Sequence, residues 1–196
     1  MSNPTRLVIF GRQGAGKGTQ CLRLVETYGV AHVSTGDMLR GAVAAGTELG
    51  QKAKAIMDAG DLVSDEIING IVAERLSASD IVESGFVLDG YPRTTAQAEF
   101  LLEALGEAGL DAVIDLDVPL AEVTQRMKAR GREDDTDEGI ARRLELYEQE
   151  TRPVLDWFAA RGLLVTVDGF ASEGEVTDRL LAAIGPIDSA DNSETD

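Results

Sequence analysis

Residues 6–10 read RLVIF and run straight into GRQGAGKGTQ at 11–20. An apolar run that stops on a glycine loop, followed by apolar residues at Cys21, Leu22, Leu24 and Val25, predicts strand, loop and helix in that order. The loop almost fits the phosphate-binding pattern GxxxxGKS/T. Gly11, Gly16 and Lys17 are in place, but Gly18 stands where the hydroxyl belongs and Thr19 comes one residue late. In the ordinary loop, glycines let backbone N–H groups converge on phosphate oxygens, the lysine reaches the outer phosphates and the hydroxyl meets magnesium. One step along a helix turns a side chain by about 100°, so Thr19 does not inherit the metal task by position. The loop is either damaged or of another kind.

The strand and helix alternation continues. AHVS at 31–34, GFVLDG at 85–90, AVIDLDV at 112–118 and LLVTVDG at 163–169 are further strand candidates. Helical patterns lie between them, at about 37–45, 47–59 and 64–78 in the first long gap, split by Gly46, Gly60 and Asp61. Five strands alternating with helices predict an α/β fold with a doubly wound, parallel, five-stranded sheet, whose ligands sit at the carboxyl ends of the strands. A chain of 196 residues with 43% hydrophobic content suits one sizeable core, here expected over residues 1–185. The last eleven residues, PIDSADNSETD at 186–196, carry four acids, no base and hardly any apolar side chain, and are expected to be disordered.

Composition excludes several classes. A formal net charge of −17 argues against a nucleic-acid or anionic-membrane partner, since both need a basic surface. No stretch approaches the ~18 to 20 apolar residues of a membrane span, and MSNPTRLVIF lacks the long apolar core of a secretion signal, so a cytoplasmic protein is expected. The single cysteine, Cys21, rules out an internal disulfide and, with His32 as the one histidine, a four-ligand zinc centre; no structural metal is expected. His32 is read as a structural or surface residue. The bases are not evenly spread. Arg126, Lys128, Arg130, Arg132, Arg142 and Arg143, six of the 18, fall within 18 residues. That cluster suits a polyanion, or else a helix face balanced by Glu133, Asp134, Asp135, Asp137 and Glu138.

Four stretches belong together: GRQGAGKGTQ, STGDMLR at 34–40, GFVLDGYPR at 85–93, and RMKARGREDD with ARRLELY over 126–147. In this order and spacing the chain closely resembles the adenylate kinases, from residue 6 to about 184. The GKGT loop is the form typical of nucleoside monophosphate kinases, so the loop is of another kind and not damaged. The resemblance implies a P-loop NTPase-like fold with a helical monophosphate-binding flap at about 34–63 and a short lid at about 129–135, a monomer acting on ATP, AMP and ADP. Only Gly131 separates Arg130 from Arg132, where the long family form inserts a lid of some thirty residues.

The resemblance also assigns roles. Gly14, Ala15, Gly16, Lys17, Gly18 and Thr19 wrap the ATP phosphates, Lys17 bridging the outer ones. Arg126 packs on the ATP adenine, and a later backbone contact to that base falls near Ala171. Asp89, closing an apolar strand, matches the acid that holds Mg2+ through water. On the monophosphate side, Thr35 and Gln97 meet the base, Arg40 and Arg93 its phosphate, with Asp61, Leu62, Val63, Gly90, Tyr91 and Pro92 lining the place. Arg130, Arg132 and Arg143 reach the transferring phosphoryl group, Arg130 from the ATP side and the other two toward AMP, so that Lys17, Arg93, Arg130, Arg132 and Arg143 form the catalytic set. The chemistry needs charge and positioning more than covalent help. A phosphate acceptor with a second pKa of about 6 is already ionised at neutral pH, so no general base is required. Asp135 and Glu138 have capping-box spacing for a helix starting near Thr136. Arg12 and Gln13 depart from the family, which has a small residue or glycine and then proline there. The nearest alternative, a UMP/CMP kinase, tends to carry alanine at the place of Thr35; a regulator without catalysis is the alternative from another class.

Overall fold

The computed structural model describes residues 4–59, 61–132 and 135–185. The tail at 186–196, and Glu133 and Asp134 of the expected lid, lie outside the described residues.

Five strands, β1 (Thr5–Phe10), β2 (Ala31–Ser34), β3 (Gly85–Asp89), β4 (Ala112–Asp117) and β5 (Leu164–Asp168), form one sheet in the order β2-β3-β1-β4-β5. Every pairing is parallel, with Leu7 opposite both Val87 and Ala112 at the centre. The central strands alternate between two cores. Leu7, Ile9, Val87 and Ile114 face one, and Val8, Phe10, Phe86, Leu88 and Val113 the other. Both faces are covered, which is why RLVIF reads as a continuous apolar run.

Helix α1 (Lys17–Tyr28) covers the first face through Cys21 and Leu24, together with α10 (Glu173–Ile184) through Val176 and Leu180 and α7 (Leu120–Arg130) through Val123. The second face is covered by α4 (Asp65–Leu76), α5 (Ser79–Ser84), α6 (Thr95–Leu105) and α9 (Arg152–Ala159), through residues such as Val72, Ile81, Leu101 and Phe158. The chain therefore leaves β1 toward one face and β3 toward the other. A crevice opens between their carboxyl ends, as at a topological switch point.

Two helices, α2 (Thr35–Ala44) and α3 (Glu48–Ala59), occupy the stretch expected as the flap after β2, and α8 (Asp137–Leu146) follows the stretch expected as the lid, running through a π-helical turn at Tyr147–Thr151 into α9. Helix α2 starts earlier than the apolar pattern suggests because the Ser34 hydroxyl accepts a hydrogen bond from the Asp37 N–H and caps it. The helix expected over 64–78 is α4, and α5 is a further short helix beyond it. The chain becomes extended at Ala78, with ψ 143°, before α5 begins.

Candidate active site

The loop after β1 is shaped by its glycines. A Cβ on Gly14, with φ +89°, would stand 2.7 Å from the Val123 carbonyl oxygen on α7, so the loop packs there only without a side chain. Gly16 is left-handed and begins α1 with no side-chain cap and no acid in its first turn. The free N–H groups and positive end of α1 are left to an anion. The Lys17 ammonium folds back over the loop and donates to the carbonyls of Gly11 at 2.8 Å and Arg12 at 3.3 Å. Burial lowers its pKa below that of an ordinary lysine.

Asp89 ends β3 beside this loop. Burial pushes its pKa up, but the nearby His32, Lys17 and Arg93 more than offset that and hold the carboxyl below its usual value. Past Gly90, Arg93 donates from Nε to the Gly90 carbonyl at 2.8 Å, and burial lowers the guanidinium's pKa. Among the described residues, no carboxylate lies within ion-pair distance of Lys17 or Arg93. Both cations are held by neutral oxygen. They line one cleft of about 440 Å3, with Gly14, Gly16, Gly18, Thr19, Asp89 and the arginines at 126, 130, 132 and 143.

A smaller recess of about 80 Å3 adjoins it, lined by Thr35, Arg40, Asp61, Leu62, Val63, Gly90, Arg93 and Gln97. Its polar groups already have partners. Thr35, 2% exposed, donates from Oγ1 to the Asp89 carbonyl at 3.3 Å. Gln97 accepts from the Arg93 N–H at 2.7 Å and donates to Asp65 at 2.6 Å. A Cβ on Gly90, φ +83°, would come within 2.8 Å of Thr35 Oγ1 and 3.3 Å of an Arg93 nitrogen, so glycine there lets Thr35, at the start of α2, and Arg93, after β3, meet at one spot. The Asp61 carboxylate faces Arg142 at 2.8 Å, and Arg143 donates to the Met57 carbonyl at 3.3 Å, so α8 grips the flap from outside.

The rim is paired differently. Arg40 bonds Asp37 on its own helix, and Arg126 bonds Glu122 at 2.7 Å and the Ala15 carbonyl at 3.4 Å. Arg130 and Arg143 share Asp135, at 2.7 and 3.2 Å, and the Arg132 N–H donates to the same carboxylate at 3.2 Å. This corrects the capping expectation. Thr136 caps α8, accepting from the Gly139 N–H at 3.0 Å, while Asp135, its side chain 1% exposed, is drawn to two guanidiniums whose charge outweighs one backbone dipole. The unexpected Arg12 also has a place. It bonds Glu148 at 2.7 Å and Asp117 at 3.3 Å and lies over the Tyr147 ring, so its charge is spent on the wall between loop and π turn.

Of the expected site residues, all but Ala15 and Ala171 line the cleft or its recess. Ala15 is buried behind the loop, and Ala171 packs against the α1-side core. Sequence reasoning missed three neighbours. His32, read as structural or surface, forms part of the cleft wall; Asp65 holds Gln97; Tyr147 lines the cleft from the π turn. Only Asp65 carried a usable signal, as an acid in the first turn of a helix facing the recess.

The parallel sheet, the glycine loop opening α1 and the cation-lined crevice at the switch point define a P-loop phosphotransferase fold. The family model described as adenylate kinase matches residues 9–163. An adenylate kinase of Stenotrophomonas maltophilia (strain R551-3) is 50% identical over 185 residues, covering 91% of this chain and 98% of that protein. One from Xanthomonas euvesicatoria pv. vesicatoria (strain 85-10) is 49% identical over 186 residues, covering 92% and 99%. The chain belongs to the adenylate kinase family.

Proposed function

We propose that this protein catalyses reversible phosphoryl transfer between ATP and AMP, giving two ADP. The observation that carries this reading is the pair of half-buried cations, Lys17 and Arg93, which share the cleft with Asp89 and donate to backbone carbonyls, with no carboxylate within ion-pair distance among the described residues. Such cations suit a transition state that spreads negative charge over transferring oxygens, and the glycine loop and recess on either side of them suit a donor and a monophosphate acceptor.

In this reading the loop from Gly14 to Thr19 binds the ATP phosphates and Lys17 holds the outer ones. Arg126 and the segment near Ala171 flank the donor base. Arg93 and Arg40 grip the AMP phosphate, and Thr35 and Gln97 meet its base by exchanging their present partners. Arg130, Arg132 and Arg143 close on the phosphoryl group and exclude water, a competing acceptor.

Magnesium fits the donor set. Asp89 offers an ionised oxygen ligand, 15% exposed, at the cleft beside the loop, which suits a hard ion that keeps its waters and shares phosphate oxygens. When bound, the ion neutralises phosphate charge. Among the described residues no helix is long and apolar enough to cross a membrane, and we take the protein to act as a cytoplasmic monomer. Purified protein incubated with ADP and magnesium alone is expected to yield equimolar ATP and AMP, and to stop when EDTA is added. No conversion at any magnesium level would favour a regulator without catalysis.

A further inference from the structure

We propose that Cys21, His32 and Asp89 form a binding site for a borderline divalent cation of the zinc class, and that filling it takes Asp89 out of service and arrests phosphoryl transfer. One ligand atom from each, a sulfur, an imidazole nitrogen and a carboxylate oxygen, lies within 4.8 Å of the other two. They are 11 and 57 residues apart in sequence, a spacing that resembles no metal motif, and are assembled by the fold alone. Cys21 comes down from α1 onto the sheet. In the register of β2 and β3, His32 lies opposite Val87 and Ser34 opposite Asp89, and Val87 belongs to the core beneath α1.

His32 Nε2 is the second, independent sign of a ligand. It is fully buried and has no hydrogen-bond partner among the described residues, although it points toward a carboxylate. Its distance to Asp89 Oδ2 is 3.8 Å, too long for a hydrogen bond. In a tetrahedral site with bonds of about 2.0–2.1 Å to nitrogen and oxygen, those two ligands stand about 3.4 Å apart. A shift of a few tenths of an ångström would therefore place an ion between them.

The donor set selects the ion. Thiolate and imidazole exclude calcium and magnesium and favour zinc, cobalt or cadmium, while three protein ligands leave a fourth position open. That position faces the cleft, because His32 and Asp89 line it and the fully buried Cys21 does not. Binding costs the thiol its proton, which passes to solvent; the resulting thiolate and the Asp89 carboxylate balance the ion's two charges. Burial holds the Cys21 thiol pKa well above its usual value, so the ion must displace the proton. Lys17 and Arg93 repel an incoming cation, which makes the site weaker than a structural zinc centre. The Lys17 ammonium is tied to the carbonyls of Gly11 and Arg12.

Binding stands on these groups alone, while arrest rests on the function proposed above, so the two are measured separately. The full-length protein without nucleotide is titrated with Co2+, and a thiolate-to-cobalt charge-transfer band saturating at one ion per chain is expected. Cys21→Ala should abolish the band and His32→Gln should weaken binding by at least ~10-fold. In the ADP reaction with excess magnesium, Cys21→Ala should keep its zinc-free rate within about threefold, and both variants, each measured against its own zinc-free rate, should need at least ~10-fold more Zn2+ for half inhibition. No band, or a band of equal affinity in His32→Gln, overturns the site. If Cys21→Ala does not fold, His32→Gln carries the test. A normal band with equal zinc sensitivity in all three proteins overturns the arrest. A band in a protein that never converts ADP leaves the site standing and defeats the proposed function instead.

Discussion

Lys17 and Arg93 on the floor of the cleft and Arg130 and Arg143 on its rim face the same space from different surroundings. The floor cations donate to backbone carbonyls, whereas the rim cations share the carboxylate of Asp135. A half-buried cation held by carbonyl dipoles, with Asp89 nearby but not paired to it, offers an arriving phosphate its charge without a bound anion to displace. A paired cation must give up one anion to take another, and its gain is only the difference. The floor therefore acts as a standing electrostatic field. In the proposed reaction the rim is an exchange, in which the phosphoryl group competes with Asp135 for Arg130 and Arg143.

The comparison breaks most visibly at Lys17. Lys17→Met should lower turnover by at least ~10² while circular dichroism and melting remain those of the folded protein, since the lost contact is strongest in the transition state. Near-normal turnover in this variant would place the developing charge elsewhere. Arg93→Ala should cut kcat/KM for AMP by roughly 10- to 100-fold and weaken ATP much less. Equal losses for both nucleotides would move that arginine out of the acceptor side.

The recess sharpens the contrast, because Thr35 and Gln97 are neutral and already hydrogen-bonded. Thr35→Ala should lower the preference for AMP over CMP and UMP by roughly tenfold, in line with ~1–3 kcal/mol for an unpaired polar group, and leave the ATP KM within about twofold. An unmutated enzyme that prefers CMP or UMP would make it a UMP/CMP kinase instead.

The smallest change in rate is expected on the rim. Asp135→Asn removes the carboxylate that Arg130 and Arg143 share, so turnover should shift by less than about tenfold, while stability falls by on the order of 1–3 kcal/mol from the lost ion pairs. Burial raises the Asp135 pKa, but the bond and charge of Arg130, the Arg132 N–H and the charge of Arg143 outweigh it and hold the carboxyl below its unfolded value. A lowered folded pKa contributes stability that is present above the unfolded value of about 3.9 and is lost as pH falls through the folded one. Acid melting of Asp135→Asn should therefore be flatter than that of the unmutated protein below about pH 4. A rate loss as large as that of Lys17→Met would erase the distinction between floor and rim.

Much of this was legible in the chain. Short, largely apolar runs located all five strands to within a residue at each end, because a parallel strand covered on both faces is largely apolar. GRQGAGKGTQ announced its own geometry, since Gly14 and Gly16 take left-handed conformations that other residues resist. Local signals failed where charges choose partners through space. Asp135 has the spacing of a cap, yet two guanidiniums outbid the helix; Arg12 looked like a disturbance of the loop, yet Glu148 and Asp117 absorb its charge. The meeting of Cys21, His32 and Asp89, and of Asp65 with Gln97, leaves no periodic mark at all. Periodicity and backbone conformation are encoded within a few neighbouring residues and survive in the sequence. Electrostatic partnership depends on distances between segments far apart along the chain, and those exist only once strands, loop and lid have packed.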